Sequence, residues 1–400
     1  MIPYYQRNLY ILSTTIFLVS LSWNQVIPFL PKFLESMGVG NNIDWWVAAV
    51  FGLQSAAAMV CLPFWGKLGD THGRKIMIIR AGIFLSLIYF AMSFSVAPWQ
   101  VALCRFLNGA LTGFIPGSFA LIATNTPEEV APRSVATAQM ASSAGLLLGP
   151  VIGGFLADIF GYRGSMVVSG AIVFISTLTV WGLVQEPNKV KPTDKTSLWE
   201  DVKTAIRSKV MRSLLFAVFV AWMFGAAIGP FLALYLPSLQ PGLKSWLIGL
   251  VISLPSLALF LTARLWTRIG ERYGYDRIIV IGLVGSGCMG LTAFFVHTYL
   301  LFAVFFFIGG VFMAALPPAV GAITCTRIEE SFRGRAYGLQ QAAGTSAALI
   351  APVGASFVSY FFGRAAIFPA AGLVTLTGAY IVWRQLKQWE PETTITNRAK

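Results

Sequence analysis

The residues of this chain that could do chemistry are few and lie in strongly apolar sequence. Arg105 is the only full charge well inside an apolar segment, and Asn108 follows it on the same face of a helix. If that segment crosses a membrane, an unpaired arginine costs on the order of 2.5–3.5 kcal/mol, so it normally faces a partner or an aqueous cavity. We predict that Arg105 and Asn108 take part in coupling or in the response to substrate, with a purely structural arginine as the alternative.

The acidic residues are all placed at the edges of the apolar segments. All 16 Asp and Glu fall in loops or at segment ends. Membrane proteins that move protons commonly use a buried carboxylate, because burial brings its pKa into the working range. Glu35 and Asp158, at the ends of the first and fifth segments, are the candidates for proton coupling if a cavity reaches them. Coupling through Asp70, or a carrier that is passive or differently driven, remains the alternative.

Residues 66–75 combine glycines, one acid and several bases in the order Gly-Lys-Leu-Gly-Asp-Thr-His-Gly-Arg-Lys. A chain that reverses direction within a few residues favours glycine, because its backbone is permissive. The carboxylate of Asp70 can lie against a helix N-terminus or a basic side chain, and Arg74 or Lys75 can pair with an acid of the next loop. Ordinary surface charges are the alternative interpretation. The predicted gating motif comprises Gly66, Gly69, Asp70, Gly73, Arg74, Lys75, Glu128 and, in a second copy, Glu271.

A strip of glycines in the fifth apolar segment predicts close helix packing. Gly145, Gly149 and Gly153 are spaced four residues apart, so they form one smooth face on a helix. Pro150 frees a backbone carbonyl and can bend the helix, and Gly154 extends the strip. We expect this surface to lie at an interface between two halves of the molecule.

Neutral amides and aromatic side chains recur within the apolar segments and are candidates for lining a cavity. A pocket of aromatic and amide groups suits bulky, lipophilic, variably charged compounds. Each aromatic residue alone is equally explained by packing or by contact with lipid. Residues 305–307 add a run of three phenylalanines. The predicted cavity residues are Trp23, Asn24, Gln25, Gln54, Gln139, Trp222, Gln340 and Gln341.

The elements that must position these residues are membrane-spanning helices. The chain is 56% hydrophobic and 11% charged, against about 25% charged in soluble domains, and its apolar runs repeatedly reach the roughly 20 residues that cross a bilayer. The sequence therefore predicts an all-α polytopic membrane protein. We place spans at about 9–34, 45–65, 76–97, 99–124, 134–157, 165–185, 212–236, 245–265, 277–296, 299–324, 336–360 and 365–384.

The net charge of +13 is a topology signal, and we predict no nucleic-acid partner. With the N-terminus placed inside, external loops receive only Lys32, Arg163, Lys244 and Arg364, while Arg105 lies within a span. The other Lys and Arg residues fall on the inner side. This asymmetry follows the positive-inside rule and predicts that both termini are cytoplasmic.

The chain also repeats itself at an offset of about 201 residues. Gly69-Asp70 aligns with Gly270-Glu271, and we expect a one-residue insertion before Asp276. Such duplication is a mark of transporters built from two related halves around a central site. Between the halves, Ser197 and Glu200 form a capping box for a basic amphipathic helix. The predicted domains are 1–185 (first bundle), 186–211 (cytoplasmic linker), 212–384 (second bundle) and 385–400 (tail).

These motifs resemble those of a known family. The loop at 66–75 resembles the signature between the second and third helices of the major facilitator superfamily. Residues 105–109, Arg-Phe-Leu-Asn-Gly, resemble the fourth-helix motif of its drug/proton antiporters, although Asn108 stands where that family often has Gln. Residues 145–154 resemble the fifth-helix antiporter motif.

The resemblance implies twelve helices in two pseudo-symmetric six-helix bundles, with a cavity lined mainly by helices one, four, seven and ten. It implies alternating access, export of lipophilic drugs or metabolites, proton antiport, and a loop motif that latches the halves in the outward-facing state. It also implies a bacterial cytoplasmic (inner) membrane location, contact with membrane lipids, a monomer, and neither cofactor nor metal. A lipid or lysolipid translocase and a carrier of small organic anions are the alternatives. An integral-membrane enzyme would need clustered catalytic side chains, which the sequence lacks.

Overall fold

The computed structural model describes residues 3–187 and 198–387, and within these ranges its regular structure is helical throughout. The N-terminal half contains α1 (Tyr4–Val26), α2 (Leu30–Glu35), α3 (Ile43–His72), α4 (Arg74–Ser93), α5 (Pro98–Leu111), α6 (Phe114–Asn125) and α7 (Ala131–Leu183). The linker helix is α8 (Leu198–Arg207). The C-terminal half contains α9 (Lys209–Leu239), α10 (Ser245–Tyr273), α11 (Tyr275–Ala293), α12 (Tyr299–Met313), α13 (Leu316–Arg327), α14 (Glu330–Phe362) and α15 (Ile367–Lys387).

These helices form twelve spans, as the sequence predicts. The described chain has 11 helical segments long and apolar enough to cross a membrane. One of them, α7, is 53 residues long, about twice what a bilayer requires at 1.5 Å per residue. Gly161 interrupts it with φ 70° and ψ 171°, values that glycine adopts readily. The α7 segment is therefore the fifth and sixth spans, joined at Gly161.

Three of the spans that were expected to line a cavity are interrupted within their membrane-spanning length. The first passes from α1 to α2 through a 3-10 turn at Ile27–Phe29, where Pro28 has no N–H to donate. The fourth changes from α5 to α6 at Gly113, whose φ is 139°. The tenth is divided between α12 and α13. Irregular backbone at this depth is tolerated where it is buried in protein or lines a cavity.

The duplication is visible in matching hydrogen bonds. The indole nitrogen of Trp65 donates to the carbonyl of Ala110 at 2.6 Å, and that of Trp266 donates to Val311 at 2.7 Å. Each pair joins the second span of its half to the fourth, at the same offset along the chain. Gly109 packs on the backbone of Gln54 in the first half, and its counterpart Gly310 packs on Pro255 in the second.

The predicted position of the one-residue insertion is wrong. Gly73 and Gly274 have similar positive φ and begin α4 and α11 at one offset, so no insertion precedes Asp276. The tryptophan pairs keep this offset as far as Val311. The extra residue lies where α12 gives way to α13, because a break between helices absorbs an added residue without rotating the packed faces that follow.

The linker helix packs on the C-terminal half. Ala205 of α8 is buried in one cluster with Met211, Ile328 and Ala336, so α8 is held by protein contacts as well as by any membrane surface. The side chain of Ser208 accepts a hydrogen bond from Met211 N at 3.3 Å and caps α9. The predicted capping residue Ser197 lies outside the described residues.

The two ends of the helical bundle differ in how the halves meet. We define the basic face as the end that carries Tyr4, Lys387 and the turns at Gly73 and Gly274, and the opposite face as the other end. The described contacts between the halves run from the middle of the bundle, where Ser346 of α14 approaches Met59 of α3, to the opposite face. The halves therefore enclose a space that is closed at the opposite face.

Candidate functional site

A large cavity of about 1010 Å³ lies between the two halves. Tyr337 and Gln341, near the start of α14, line its end at the basic face, and Pro150 of α7 lines its end towards the opposite face. The lining is mostly aromatic and aliphatic, with a few amides. Of the predicted cavity residues, the following line it: Trp23, Asn24, Gln54, Gln139, Trp222, Gln340 and Gln341. Of the phenylalanine run, the residues at 305 and 306 line it and Phe307 does not.

Gln25 is the predicted cavity residue that the structure removes from the site. Its side chain is fully buried, and its amide nitrogen donates to the carbonyl of Ser165 at 2.9 Å. It therefore joins the first span to the sixth inside the N-terminal half. Asn24, the residue before it, faces the cavity, because neighbouring residues on a helix point about 100° apart.

Among the described residues, Arg105 is the charged residue that lines the cavity. It is only 1% exposed, yet it lines the cavity. Its guanidinium carbon lies 5.9 Å from the ring centre of Trp23 and 5.5 Å from that of Phe51, so two aromatic faces share the cation. Nε and Nη1 have no hydrogen-bond partner among the described residues. Arg105 can therefore donate to a ligand in the cavity.

Asn108 and the predicted coupling acids are not part of the cavity lining. Asn108 is fully buried, and its amide atoms have no partner within the part of the chain described. Glu35 forms an exposed ion pair with Lys32 at 2.9 Å. Asp158 lies at the opposite face. Among the described residues, no carboxylate lines the cavity.

Asp158 instead joins the two halves. One carboxylate oxygen accepts from Ser245 N at 2.9 Å and the other from Trp246 N at 3.1 Å. These are the first N–H groups of α10, which have no partner within their own helix and carry partial positive charge. Beside them, Gly154 lets α7 approach the backbone of Ser245 so closely that a Cβ would overlap it. We call this contact the acidic seal.

A second contact at the same face joins α3 to α14, which are the counterparts of α10 and α7 in the duplicated chain. Ser356 donates its hydroxyl to the carbonyl of Asp44, and Trp45 and Tyr360 pack with ring centres 5.8 Å apart. Arg364 Nε lies 4.0 Å from a carboxylate oxygen of Asp44. We call this contact the aromatic seal. Together the two seals close the cavity at the opposite face.

The glycine strip of α7 only partly matches its predicted place. Gly145, Gly149 and Gly153 pack on α1, where a Cβ would meet the backbone between Phe17 and Gln25. They therefore lie inside the N-terminal half, and the prediction of an interface between halves is wrong for them. Gly154, one residue further round the helix, is the one that meets the other half.

The predicted gating loop is shorter than its motif. Because α3 continues to His72, Gly66 and Gly69 are helical, and only Gly73, with φ 105°, makes the turn. Arg74 donates to the carbonyl of Ala120 on α6 at 2.5 Å. The side chain of Asp70 lies outside what the structure describes.

The acids predicted to pair with this loop stand apart from it. Glu128 and Glu271 are exposed and form no ion pair within 4.0 Å among the described side chains. Among the described side chains, an acid that does contact the loop is Glu186, which the sequence places in the linker. Its two oxygens accept from Arg74 N at 2.8 Å and Lys75 N at 2.9 Å. Its signal in the sequence was its position directly after the sixth span.

Comparison with known proteins agrees with this geometry. The Major Facilitator Superfamily profile matches residues 12–246 and 214–399. A multi-drug resistance efflux pump PmrA homolog from Lactococcus lactis is 29% identical over 384 residues, 95% of this chain and 94% of that protein. Multidrug resistance protein MdtG of Proteus mirabilis is 27% identical over 384 residues, 95% and 96% of the two chains. The sequence blocks at 28–39, 63–75 and 120–124 carry a resemblance to MdtG, which these matches confirm.

Solved structures share the fold. The nucleoside transporter NupG superposes with a TM-score of 0.80 at 12% identity, covering 94% of this chain and 99% of that one. A bacterial homologue of the human lysosomal transporter Spinster, in an inward-facing and unoccupied conformation, gives 0.80 at 14% identity, covering 98% and 100%. From the family match over nearly its whole length and from its paired six-helix bundles, the chain belongs to the Major Facilitator Superfamily and is a multi-pass membrane transporter, not an enzyme.

Proposed function

We propose that this transporter exports lipophilic drugs or metabolites by alternating access. The observation that carries the proposal is the central cavity, which is sealed at the opposite face and lined by aromatic groups, aliphatic groups and a few amides. Such a lining binds bulky apolar compounds without demanding one pattern of hydrogen bonds. The relatives named as multidrug efflux proteins support the same substrate class.

The orientation that we propose places the basic face in the cytoplasm of a bacterial inner membrane. The asymmetry of Lys and Arg supports this, because positive loops remain inside. The cavity would then open to the cytoplasm, and the protein would be inward-facing with both termini inside. We further propose that it works as a monomer surrounded by lipid and binds no nucleic acid.

Proton antiport is the finer part of the proposal. The antiporter-like glycine strip supports it, although the described cavity wall has no carboxylate. Asp158 is our candidate for the coupling acid, because protonation of its carboxylate would weaken both bonds of the acidic seal. In this scheme protons act on the closure of the opposite face and not on the bound substrate.

Transport by purified protein in proteoliposomes tests this function. The substrates are a panel of lipophilic dyes and a fluorescent lysolipid, each followed with and without an imposed pH gradient. We expect dye movement that is faster when the gradient is present, and Asp158→Asn should abolish that dependence. Movement of every substrate at the same rate in both conditions would contradict the antiport proposal. If no substrate moved, the export proposal would be contradicted.

Arg105 favours a second candidate, an anionic amphiphile such as a lysolipid or a lipophilic organic acid. Its guanidinium has unpartnered donors at the cavity wall, and a phosphate or carboxylate is the partner that such donors prefer. In the same liposomes, selective movement of the lysolipid, lost on Arg105→Gln, would promote this candidate over drug export.

A further inference from the structure

An arginine lies on the membrane-facing surface of the third span, away from the cavity. On α4, the side chains of Ile76, Ile83 and Leu87 are exposed at helical spacing and form a stripe that faces lipid. Arg80 stands within this stripe, because it follows Ile76 by four residues and precedes Ile83 by three. Neither Arg80 nor Trp65, the side chain beside it, lines the cavity. The two residues therefore belong to a surface separate from the transport site.

This surface lies near the boundary between lipid tails and headgroups at the basic face. Because α3 ends at His72 and α4 begins at Arg74, Trp65 and Arg80 are each about 10 Å from the turn, at 1.5 Å per residue. Lys67, two residues nearer the turn than Trp65, is exposed, so its ammonium group lies among headgroups or water. Tryptophan is enriched at this level of membrane proteins, and arginine extends its charge towards the headgroups. The guanidinium of Arg80 is therefore within reach of lipid phosphates.

The guanidinium of Arg80 is held against the indole ring of Trp65. Its central carbon lies 3.4 Å from the ring centre, and the indole is itself fixed by its bond to the carbonyl of Ala110. Nε and Nη1 are covered by protein and have no hydrogen-bond partner among the described residues, whereas Nη2 keeps accessible surface. No described carboxylate lies within 4.0 Å of this cation. The protein thus positions the charge of Arg80 without supplying an anion for it.

The second half keeps the ring but lacks the charge. In the duplicated register, Trp65 corresponds to Trp266 and Arg80 corresponds to Ile281. Trp266 is buried and packs on Phe312 with ring centres 6.3 Å apart, and Ile281 is exposed on the surface of α11. An aliphatic side chain therefore suffices for the fold at this position. The arginine of the first half is explained by a partner outside the protein.

We propose that Arg80 and Trp65 bind the phosphate of a phospholipid headgroup from the leaflet at the basic face. The Nη2 group donates to a phosphate oxygen, which forms a charge-assisted hydrogen bond, and the indole ring keeps the guanidinium in place. Deeper in the membrane, Ile83 and Leu87 of the same stripe contact the acyl chains. Because the site is separate from the cavity, the proposal does not rest on the export of any substrate.

Native mass spectrometry of the purified full chain, released from detergent micelles, tests this site by counting bound lipid. The probe is phosphatidylglycerol, whose headgroup carries a phosphate without a competing ammonium group. We expect Arg80→Gln to weaken binding of the most tightly bound phosphatidylglycerol about tenfold. If Arg80→Gln does not fold, Arg80→Lys replaces it, with an expected loss of about threefold, because an ammonium keeps the charge but does not stack on the ring.

Arg384→Gln is the matched control. It removes the same charge from another arginine at the basic face that also lies over an aromatic ring, 5.6 Å from the centre of Tyr380, and it should change binding less than about twofold. Inorganic phosphate at millimolar concentration should not displace the lipid, because it lacks acyl chains. Equal losses in Arg80→Gln and Arg384→Gln, displacement by inorganic phosphate, or no phosphatidylglycerol bound to the unaltered protein would overturn the proposal.

Discussion

The two seals at the opposite face occupy related positions but use different chemistry. In the acidic seal, Asp158 of the N-terminal half accepts from the first N–H groups of α10. In the aromatic seal, Tyr360 holds the position of Asp158 and packs on Trp45 near the start of α3. A duplicated backbone thus gives one closure anchored by a carboxylate on a helix N-terminus and one anchored by a pair of aromatic rings. The second also holds a charged pair beside the rings, because Arg364 Nε lies 4.0 Å from a carboxylate oxygen of Asp44.

The turns at the basic face differ in the same manner. The turn at Gly274 carries its own acid, Asp276, in the first turn of α11. The turn at Gly73 is followed by bases, and its acid arrives from the linker as Glu186. The N-terminus of α4 is therefore bonded to the segment that connects the halves, whereas the N-terminus of α11 has an acid in its own first turn. Of these two turns, only the one at Gly73 depends on a distant acid.

The largest effect that separates the halves is expected in the glycine strip. Gly153→Ala would place a Cβ against the backbone of Gln25, and such overpacking should lower the free energy of unfolding by about 3 kcal/mol. Its counterpart Ala355 already carries a Cβ in a packed site. Ala355→Gly should therefore cost only about 1 kcal/mol, from the lower helix propensity of glycine.

Equilibrium unfolding in mixed micelles of detergent and SDS would measure both variants. Equal losses in the two halves would show that the α1–α7 contact is no tighter than the α9–α14 contact. A small loss in Gly153→Ala alone would show that α1 can move away to admit the methyl group.

The same strip shows what could be predicted from the sequence. Helices, spans and duplication follow from apolar length and repeated spacing, and the cavity residues follow from polar and aromatic types within spans. The direction that Gly153 faces depends on the rotation of α7, which spacing alone leaves open. Glycines four residues apart indicate close approach by a neighbouring helix, but they do not identify which helix approaches.

The acids were harder to place, for a different physical reason. The sequence marked Asp158 because it lies at a span end, but its partners are backbone N–H groups of α10, which have no residue-type signature. Glu186 was hidden in the same manner, since it contacts Arg74 and Lys75 through their backbone. Interactions of side chains with the ends of distant helices appear only once the helices are assembled.

The next largest effect should come from the acidic seal. Asp158→Asn removes the charge that faces the N-terminus of α10 and leaves one good acceptor for two donors, a loss of about 1–2 kcal/mol. We expect the population open at the opposite face to rise about fivefold to thirtyfold. Tyr360→Phe keeps the ring against Trp45, so it should change this open population less than about twofold.

A cysteine at Ser256, which lines the cavity, reports the opening once the native cysteines are replaced. A membrane-impermeant maleimide added from the opposite face should label it faster in the Asp158→Asn background. Unchanged labelling there, or equal acceleration by Tyr360→Phe, would show that the charge at Asp158 does not control closure.

The smallest effect is expected at the basic face. It concerns the acids that lie at the N-termini of α4 and α11. Glu186→Gln keeps one acceptor for two N–H donors and should speed amide hydrogen exchange at the start of α4 about fivefold. Asp276→Asn should loosen only the start of α11, because that acid belongs to its own helix. Exchange followed by mass spectrometry on peptides covering residues 73–80 and 274–281 separates the two outcomes. If Glu186→Gln leaves the first peptide protected, the bonds to Arg74 and Lys75 do not hold the turn, and the linker is not tied to the gating loop.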